Sequence, residues 1–143
     1  MEKGTVLEKS FLFARRIVSL YRHLLATGQP RSLADQVLRS GTSIGANMEE
    51  ATGGFSRKDF AAKCGIAYRE ARETHYWLRL LRDTNCLEPR LADSLLAQAE
   101  ELRRMLHAIL RTTKKNSTPA PTPVLPPAPI PPQANSQLLT PNS

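Results

Sequence analysis

The chain has 143 residues and a net charge of +7, from 20 lysines and arginines against 13 aspartates and glutamates. No apolar run approaches the ~20 residues of a membrane span, the N-terminus Met1-Glu2-Lys3-Gly4 leads into charge rather than a secretory signal, and two cysteines make no disulfide framework. A soluble protein of the reducing, cytoplasmic compartment is the expectation, with no membrane partner.

The composition is uneven. Residues 1–115 carry every charge and every glycine, whereas residues 116–143 carry no charge and nine of the 11 prolines. The chain therefore divides into a basic body, 1–115, long enough for a modest core, and a Pro-rich tail, 116–143.

The first periodic segment runs from Val6 to Ala26 and stops at Gly28. Leu7, Phe11, Ala14, Val18, Tyr21 and Leu25 recur at helical spacing. A second stripe, Phe13, Ile17, Leu20 and Leu24, lies about 110° round the same helix. One bundle core needs one stripe, so the other predicts a further neighbour or another subunit.

The second segment spans Leu33 to Thr52, with Ser32 placed to cap it and Asp35 three residues on. Leu33, Val37, Ile44, Met48 and Ala51 form its apolar line, and Ser40, Gly41, Ser43, Gly45 and Ala46 are small. A glycine within a helix costs about 1 kcal/mol relative to alanine, so close approach of another helix is the expected compensation. Asn47 falls on the apolar side, where its amide needs a partner; a hydrogen bond across the bundle is the expectation. Gly53-Gly54 ends the segment.

Ser56-x-x-Asp59 opens the third segment, in which Phe60, Cys64, Ala67, Ala71, Thr74, Leu78 and Leu81 keep an unbroken four-three spacing. Cys64 sits in that seam and reads as a small buried residue. Asn85 is the expected stop. The fourth segment starts near Pro89 and carries Leu91, Leu95, Leu102, Leu106 and Ile109, widened by Ala92, Leu96, Ala99 and Leu110. It fades at Thr112–Lys115. Short connections make successive helices antiparallel. The fold class is all-α: an up-down-up-down four-helix bundle followed by a disordered tail. The extra apolar width of the first and fourth helices predicts a subunit interface.

Eight prolines crowd positions 119–132, which rules out helix and favours an extended, polyproline-like spacer. Pro123-x-x-Pro126 and Pro129-x-x-Pro132 fit a docking pattern that any Pro-rich stretch satisfies.

Catalytic patterns are missing. No Glu is followed by His three residues on, His23, His75 and His107 fall on polar faces, and Cys64 and Cys86 have no paired histidine nearby, so no metal and no cofactor are expected. Gly53-Gly54-Phe55-Ser56-Arg57-Lys58 looks like a phosphate cradle but lacks the preceding strand, and reads as a capped helix start. No nucleophile elbow or Ser/His/Asp set occurs, so the expectation is a protein that is not an enzyme.

The basic residues carry more information. Lys58, Arg69, Arg72, Tyr76 and Arg79 fall in one stripe opposite the seam of the third helix. Arginine pairs phosphate with two hydrogen bonds and tyrosine stacks on an exposed base, so this stripe is the candidate nucleic-acid face. Its bland counterpart is a solvated surface laced with Glu and Asp. Arg15, Arg16 and Arg22 give the first helix its own polar face.

Ser43-Ile44-Gly45-Ala46-Asn47-Met48-Glu49-Glu50-Ala51 resembles the Ser-Ile-Pro-x-Asn-Ile-x-Glu-Gly signature of bacterial four-helix bundle proteins related to the 23S ribosomal RNA intervening-sequence proteins. Ala67-Tyr68-Arg69-Glu70-Ala71-Arg72-Glu73-Thr74-His75-Tyr76-Trp77-Leu78 is similar to the third-helix pattern of one branch. The likeness covers residues from about 8 to 112. Gly45 stands where many members have Pro, and Ala51 where many have Gly. The resemblance implies a bundle that assembles into a ring, typically a homopentamer. A related branch, the accessory variability protein of diversity-generating retroelements, is basic and binds nucleic acid and the element's reverse transcriptase. Asn47, Glu50, Glu70 and Glu73 match the polar positions of the motifs, and the resemblance implies structural contacts for them between the second and third helices or across a subunit boundary.

The function expected is thus a non-enzymatic, oligomeric bundle that contacts RNA or DNA through basic helix faces. The alternative is a protein-interaction ring that binds no nucleic acid and recruits a partner through a groove or the tail.

Overall fold

The computed structural model describes residues 4–54, 56–116 and 126–128. Its elements are α1 (Val6–Ala26), α2 (Arg31–Thr52), α3 (Arg57–Asp83) and α4 (Pro89–Asn116), arranged up-down-up-down with no strand among the described residues. Local chemistry sets most of the ends. Thr5 and Glu8 form a reciprocal capping box, with both hydrogen bonds at 3.1 Å. Ser56 caps α3 by accepting from the Asp59 amide at 3.1 Å. At the far end of α1, Gly28 takes φ +73, and Gly28 and Gln29 donate back to the Leu25 and Leu24 carbonyls. The same motif closes α3, where Asn85 at φ 61 and Cys86 donate to Arg82 and Leu81.

Two boundaries differ from the sequence expectation. α2 starts at Arg31, with Pro30 as the cap residue and no side-chain cap bond. The proline ring fixes φ at −56, and the Pro30 carbonyl accepts from Ala34 at 3.1 Å, so the helix is under way before Ser32 can act. α4 runs through Asn116, one residue past the compositional boundary, because nothing breaks a helix before Pro119. The expected disordered tail lies outside the described residues, except Pro126–Ala128, which are exposed and belong to no helix.

α1 packs on α2, α2 on α3 and α3 on α4; α1 and α4 touch only slightly, and α1 lies diagonally across from α3. The core is built from Phe13, Ile17 and Leu24 of α1, Val37, Ile44 and Met48 of α2, the α3 seam, and Leu95, Leu102 and Leu106 of α4. Of the two α1 stripes, the one through Phe13 and Ile17 is the core. The small residues of α2 bring α1 close: a Cβ on Gly41 would lie 2.8 Å from both Cγ atoms of Ile17. The buried hydroxyls of Ser10, Ser40 and Thr74 each donate to a carbonyl of their own helix, at 2.9, 2.9 and 2.7 Å, so no polar group is stranded there.

The width of α4 is consumed inside the chain. Leu95, Leu96, Leu102 and Leu106 are buried, Leu91, Ile109 and Leu110 are half-buried, and no large apolar side chain of α4 is exposed. α1 keeps part of its other stripe in the open: Phe11 is 59% exposed, Leu25 38% and Val18 36%, with Leu12 beside them at 52%. The thin α1–α4 seam is bridged by polar groups instead, Lys9 to Glu101 and Arg16 to Ser94 and Gln98. It leaves a hollow of about 640 Å³ lined by Leu12, Leu20, Leu91 and Leu95.

Candidate nucleic-acid interface

A helix of 3.6 residues per turn gathers Arg69, Arg72, Tyr76 and Arg79 on one side of α3, and the core seam forces that side outward. All four are exposed, as is Lys58 near the N-terminus of α3, roughly 16 Å along the axis from Arg69 at 1.5 Å per residue. Among the described residues, Lys58, Arg69, Arg72 and Arg79 form no ion pair with a carboxylate.

The acids are engaged elsewhere. Arg39 of α2 holds both Glu70, at 3.3 Å, and Glu73. Lys63 holds Glu50 at 2.5 Å, Arg82 holds Asp83 and Asp93, and Arg103 holds Glu100 at 2.6 Å. Three members of the polar motif, Glu50, Glu70 and Glu73, therefore tie α2 to α3. The fourth does not: half-buried Asn47 donates to the Ser43 carbonyl of its own helix at 2.8 Å. An amide one turn above an accessible carbonyl satisfies itself locally and needs no cross-bundle partner.

Glu73 also accepts from the Trp77 indole N–H at 3.2 Å. Trp77 in turn packs edge-on to Tyr76, ring centroids 5.0 Å apart. The Arg79 guanidinium stands 6.0 Å from the Tyr76 centroid, the outer limit (about 6 Å) at which a cation feels the ring.

Residues of α4 extend the basic surface beyond the stripe legible on α3. Arg103 donates two hydrogen bonds to Glu100, at 3.0 and 2.6 Å, and that carboxylate raises its pKa. His107 lies against the Tyr68 ring, centroids 5.9 Å apart. Arg104 and Arg111 are exposed on the same helix. The wheel of α4 contained this signal: Arg103 and His107 fall on one flank of its core stripe, and Arg104 and Arg111 on the outer face beyond them. Half-buried His75 reports the local field. Its pKa is lowered first by burial and then by Arg79, with Glu100 opposing and Arg103 and Arg82 adding to the shift.

Near Lys58 lies an open hollow of about 1280 Å³, lined by Ala51, Phe60, Ile109 and Thr112 with Ser56 and Arg57 at its edge. The segment before it is α2, not a strand, in keeping with a capped helix start. Phe55 lies outside the described residues. Cys64 is buried and its thiol pKa is pushed up by burial, as a core residue's should be. No cluster of three or more His, Cys, Asp or Glu side chains suited to a metal occurs among the described residues, and no helix there is long and apolar enough to cross a membrane.

These features define a class: a basic, antiparallel four-helix bundle with an arginine-rich face on one helix and an apolar face on the helix diagonal to it. The family model of the 23S rRNA-intervening sequence protein matches residues 2–108, and the chain belongs to that family. A solved structure from Bacteroides thetaiotaomicron, described as a protein with unknown function from the S23 ribosomal protein family, is 42% identical. That likeness covers 75% of this chain and 99% of the other, with a TM-score of 0.73. No curated protein matches the chain.

Proposed function

We propose that the protein is a non-enzymatic, homo-oligomeric accessory protein of the cytoplasm that binds RNA or DNA through the outer face of α3. One observation carries this reading: Lys58, Arg69, Arg72 and Arg79 are exposed together, and among the described residues no carboxylate is paired to any of them. A merely solvated helix surface would interleave its charges. The family's name refers to a 23S rRNA intervening sequence, and the structural neighbour's to a ribosomal protein family, so RNA is the first ligand to test. Oligomerisation through the apolar face of α1 supports the same reading, since each added subunit repeats the basic face. The likeness to ring-forming bundles favours a homopentamer, and a reverse transcriptase or other protein partner would join such a ring.

The test is fluorescence anisotropy of a labelled structured RNA and a labelled duplex DNA, titrated with the full chain at about 50 and 200 mM salt. Binding should fall by orders of magnitude across that range. The triple variant Arg69→Ala, Arg72→Ala, Arg79→Ala should flatten the salt slope by about two to three, close to one for each phosphate no longer neutralised. No binding at low salt would refute the reading. It would favour the second one, a ring serving protein partners only, for which the exposure of Phe11 and Leu12 is the supporting observation.

A further inference from the structure

Tyr76 is out of place on its helix. Among the described residues it is the one large apolar side chain exposed outside α1, at 48%. An exposed tyrosine alone is ordinary. This one has Arg72 one turn before it and Arg79 one turn after it, at about 6 Å and 4.5 Å along the axis at 1.5 Å per residue, and neither arginine has a carboxylate partner. Its ring is also restrained, because Trp77 lies edge-on against it and the Trp77 indole is held by Glu73, itself gripped by Arg39. Arg79 sits at the limit of cation–π range from the same ring.

We infer that Tyr76 is a stacking platform for an unpaired nucleobase, with Arg72 and Arg79 taking the phosphates on either side. The inference rests on the nucleic-acid reading and narrows it to single-stranded or flipped-out bases of RNA or DNA. A flat ring between two guanidinium groups matches the repeat of a single strand, which is base face and phosphate in alternation. In a duplex the base faces are covered by their neighbours, and the ring would gain nothing there that an arginine would not. Every base has a π-face, so the site should tolerate sequence.

The experiment uses the full chain and three labelled probes of about 12 units, within the usual site size: an oligo(U), an oligo(dT) and a mixed-sequence duplex. Both single strands should bind more tightly than the duplex. Tyr76→Ala should weaken single-strand binding about five- to hundredfold and duplex binding much less, while Tyr76→Phe and Tyr76→Trp retain single-strand binding. Trp77 is the chain's one tryptophan, so saturable quenching of its emission by oligo(U) should follow the anisotropy curve and be lost in Tyr76→Ala. A difference between oligo(U) and oligo(dT) would assign the preferred sugar. If Tyr76→Ala binds single strands like the parent while the arginine variants do not, the stacking platform falls and the basic face stands. If the parent binds none of the three, both fall. If Tyr76→Ala changes the oligomeric mass, Tyr76 is an interface residue and the inference is overturned.

Discussion

Gly41 and Gly65 are both interior helix glycines, yet their surroundings predict opposite responses to alanine. Helix propensity favours alanine by about 1 kcal/mol at either site. At Gly65 a Cβ would meet nothing within 4 Å, so Gly65→Ala should realise most of that gain. At Gly41 a Cβ would lie 2.8 Å from both Cγ1 and Cγ2 of Ile17 and 3.1 Å from its Cδ1. Ile17 is fully buried and branched at Cβ, so turning χ1 moves one branch into the space the other leaves. Relief therefore requires α1 to move away from α2, and overpacking of this kind costs about 1–3 kcal/mol. The propensity gain is common to both variants and cancels in the comparison. Gly41→Ala should accordingly be less stable than Gly65→Ala by about 1–3 kcal/mol. Urea unfolding followed by circular dichroism, at one fixed protein concentration because any self-association would shift apparent stability, measures the difference. Ile17→Ala removes all three contacting atoms, so Gly41→Ala in that background should lose its penalty. If Gly41→Ala and Gly65→Ala are equally stable, the close approach of α1 and α2 is not the reason for a glycine at position 41.

His75 has a folded pKa below its ordinary value of about 6.5, so the unfolded chain binds the proton more readily. Stability should be full above that value and decline as pH falls through the folded pKa; His75→Gln should flatten this part of a stability–pH profile while leaving the carboxylate-dependent loss at lower pH. In the native protein a maleimide should label half-exposed Cys86 and spare buried Cys64 until denaturant is added, as intact mass will show. Gly28→Ala places a Cβ at φ +73 and should cost about 1–2 kcal/mol in the same urea assay. Arg39→Ala removes two surface ion pairs, each worth about 0–1 kcal/mol, so its stability cost should stay small. It frees Glu70 and Glu73 beside the α3 face, and should weaken nucleic-acid binding at low salt more than Arg31→Ala does.

Periodicity made α3 and α4 legible because each side chain's environment there follows from position on the wheel alone. Phe60 to Leu81 alternates in fours and threes without interruption, and the residues that cap α3 lie within one turn of its ends. The start of α2 was less legible because two local signals compete. Ser32 has cap chemistry, but Pro30 already has the helix-compatible φ and an available carbonyl, and backbone geometry takes precedence over a side-chain bond. On α1 the wheel yields two stripes and no rule for choosing between them. The choice depends on which side meets Gly41 and Gly45, which is information held by another helix. The candidate site divides in the same way. That Arg69, Arg72, Tyr76 and Arg79 share a face follows from spacing. That Arg39 takes up two glutamates and that His107 lies against the Tyr68 ring depend on the register between helices, which no single segment encodes.

The diagonal placement of α1 and α3 connects the two faces. A subunit interface that buries Phe11, Val18 and Leu25 uses the side of the bundle farthest from Tyr76, so assembly through α1 need not cover the arginines of α3. Were the two faces on adjacent helices, burying one would crowd the other. The glutamates of the polar motif serve the same separation from the opposite direction. Glu50, Glu70 and Glu73 are drawn into the α2–α3 seam by Lys63 and Arg39, which ties the helices together and removes negative charge from the flank of the basic face of α3. A carboxylate in that seam acts twice, once on the fold and once on the field outside it. Substituting Arg39 or its two glutamates removes the same ties from the α2–α3 seam, but the field differs: Arg39→Ala leaves two unpaired carboxylates beside the α3 face, whereas substituting the glutamates takes that negative charge away.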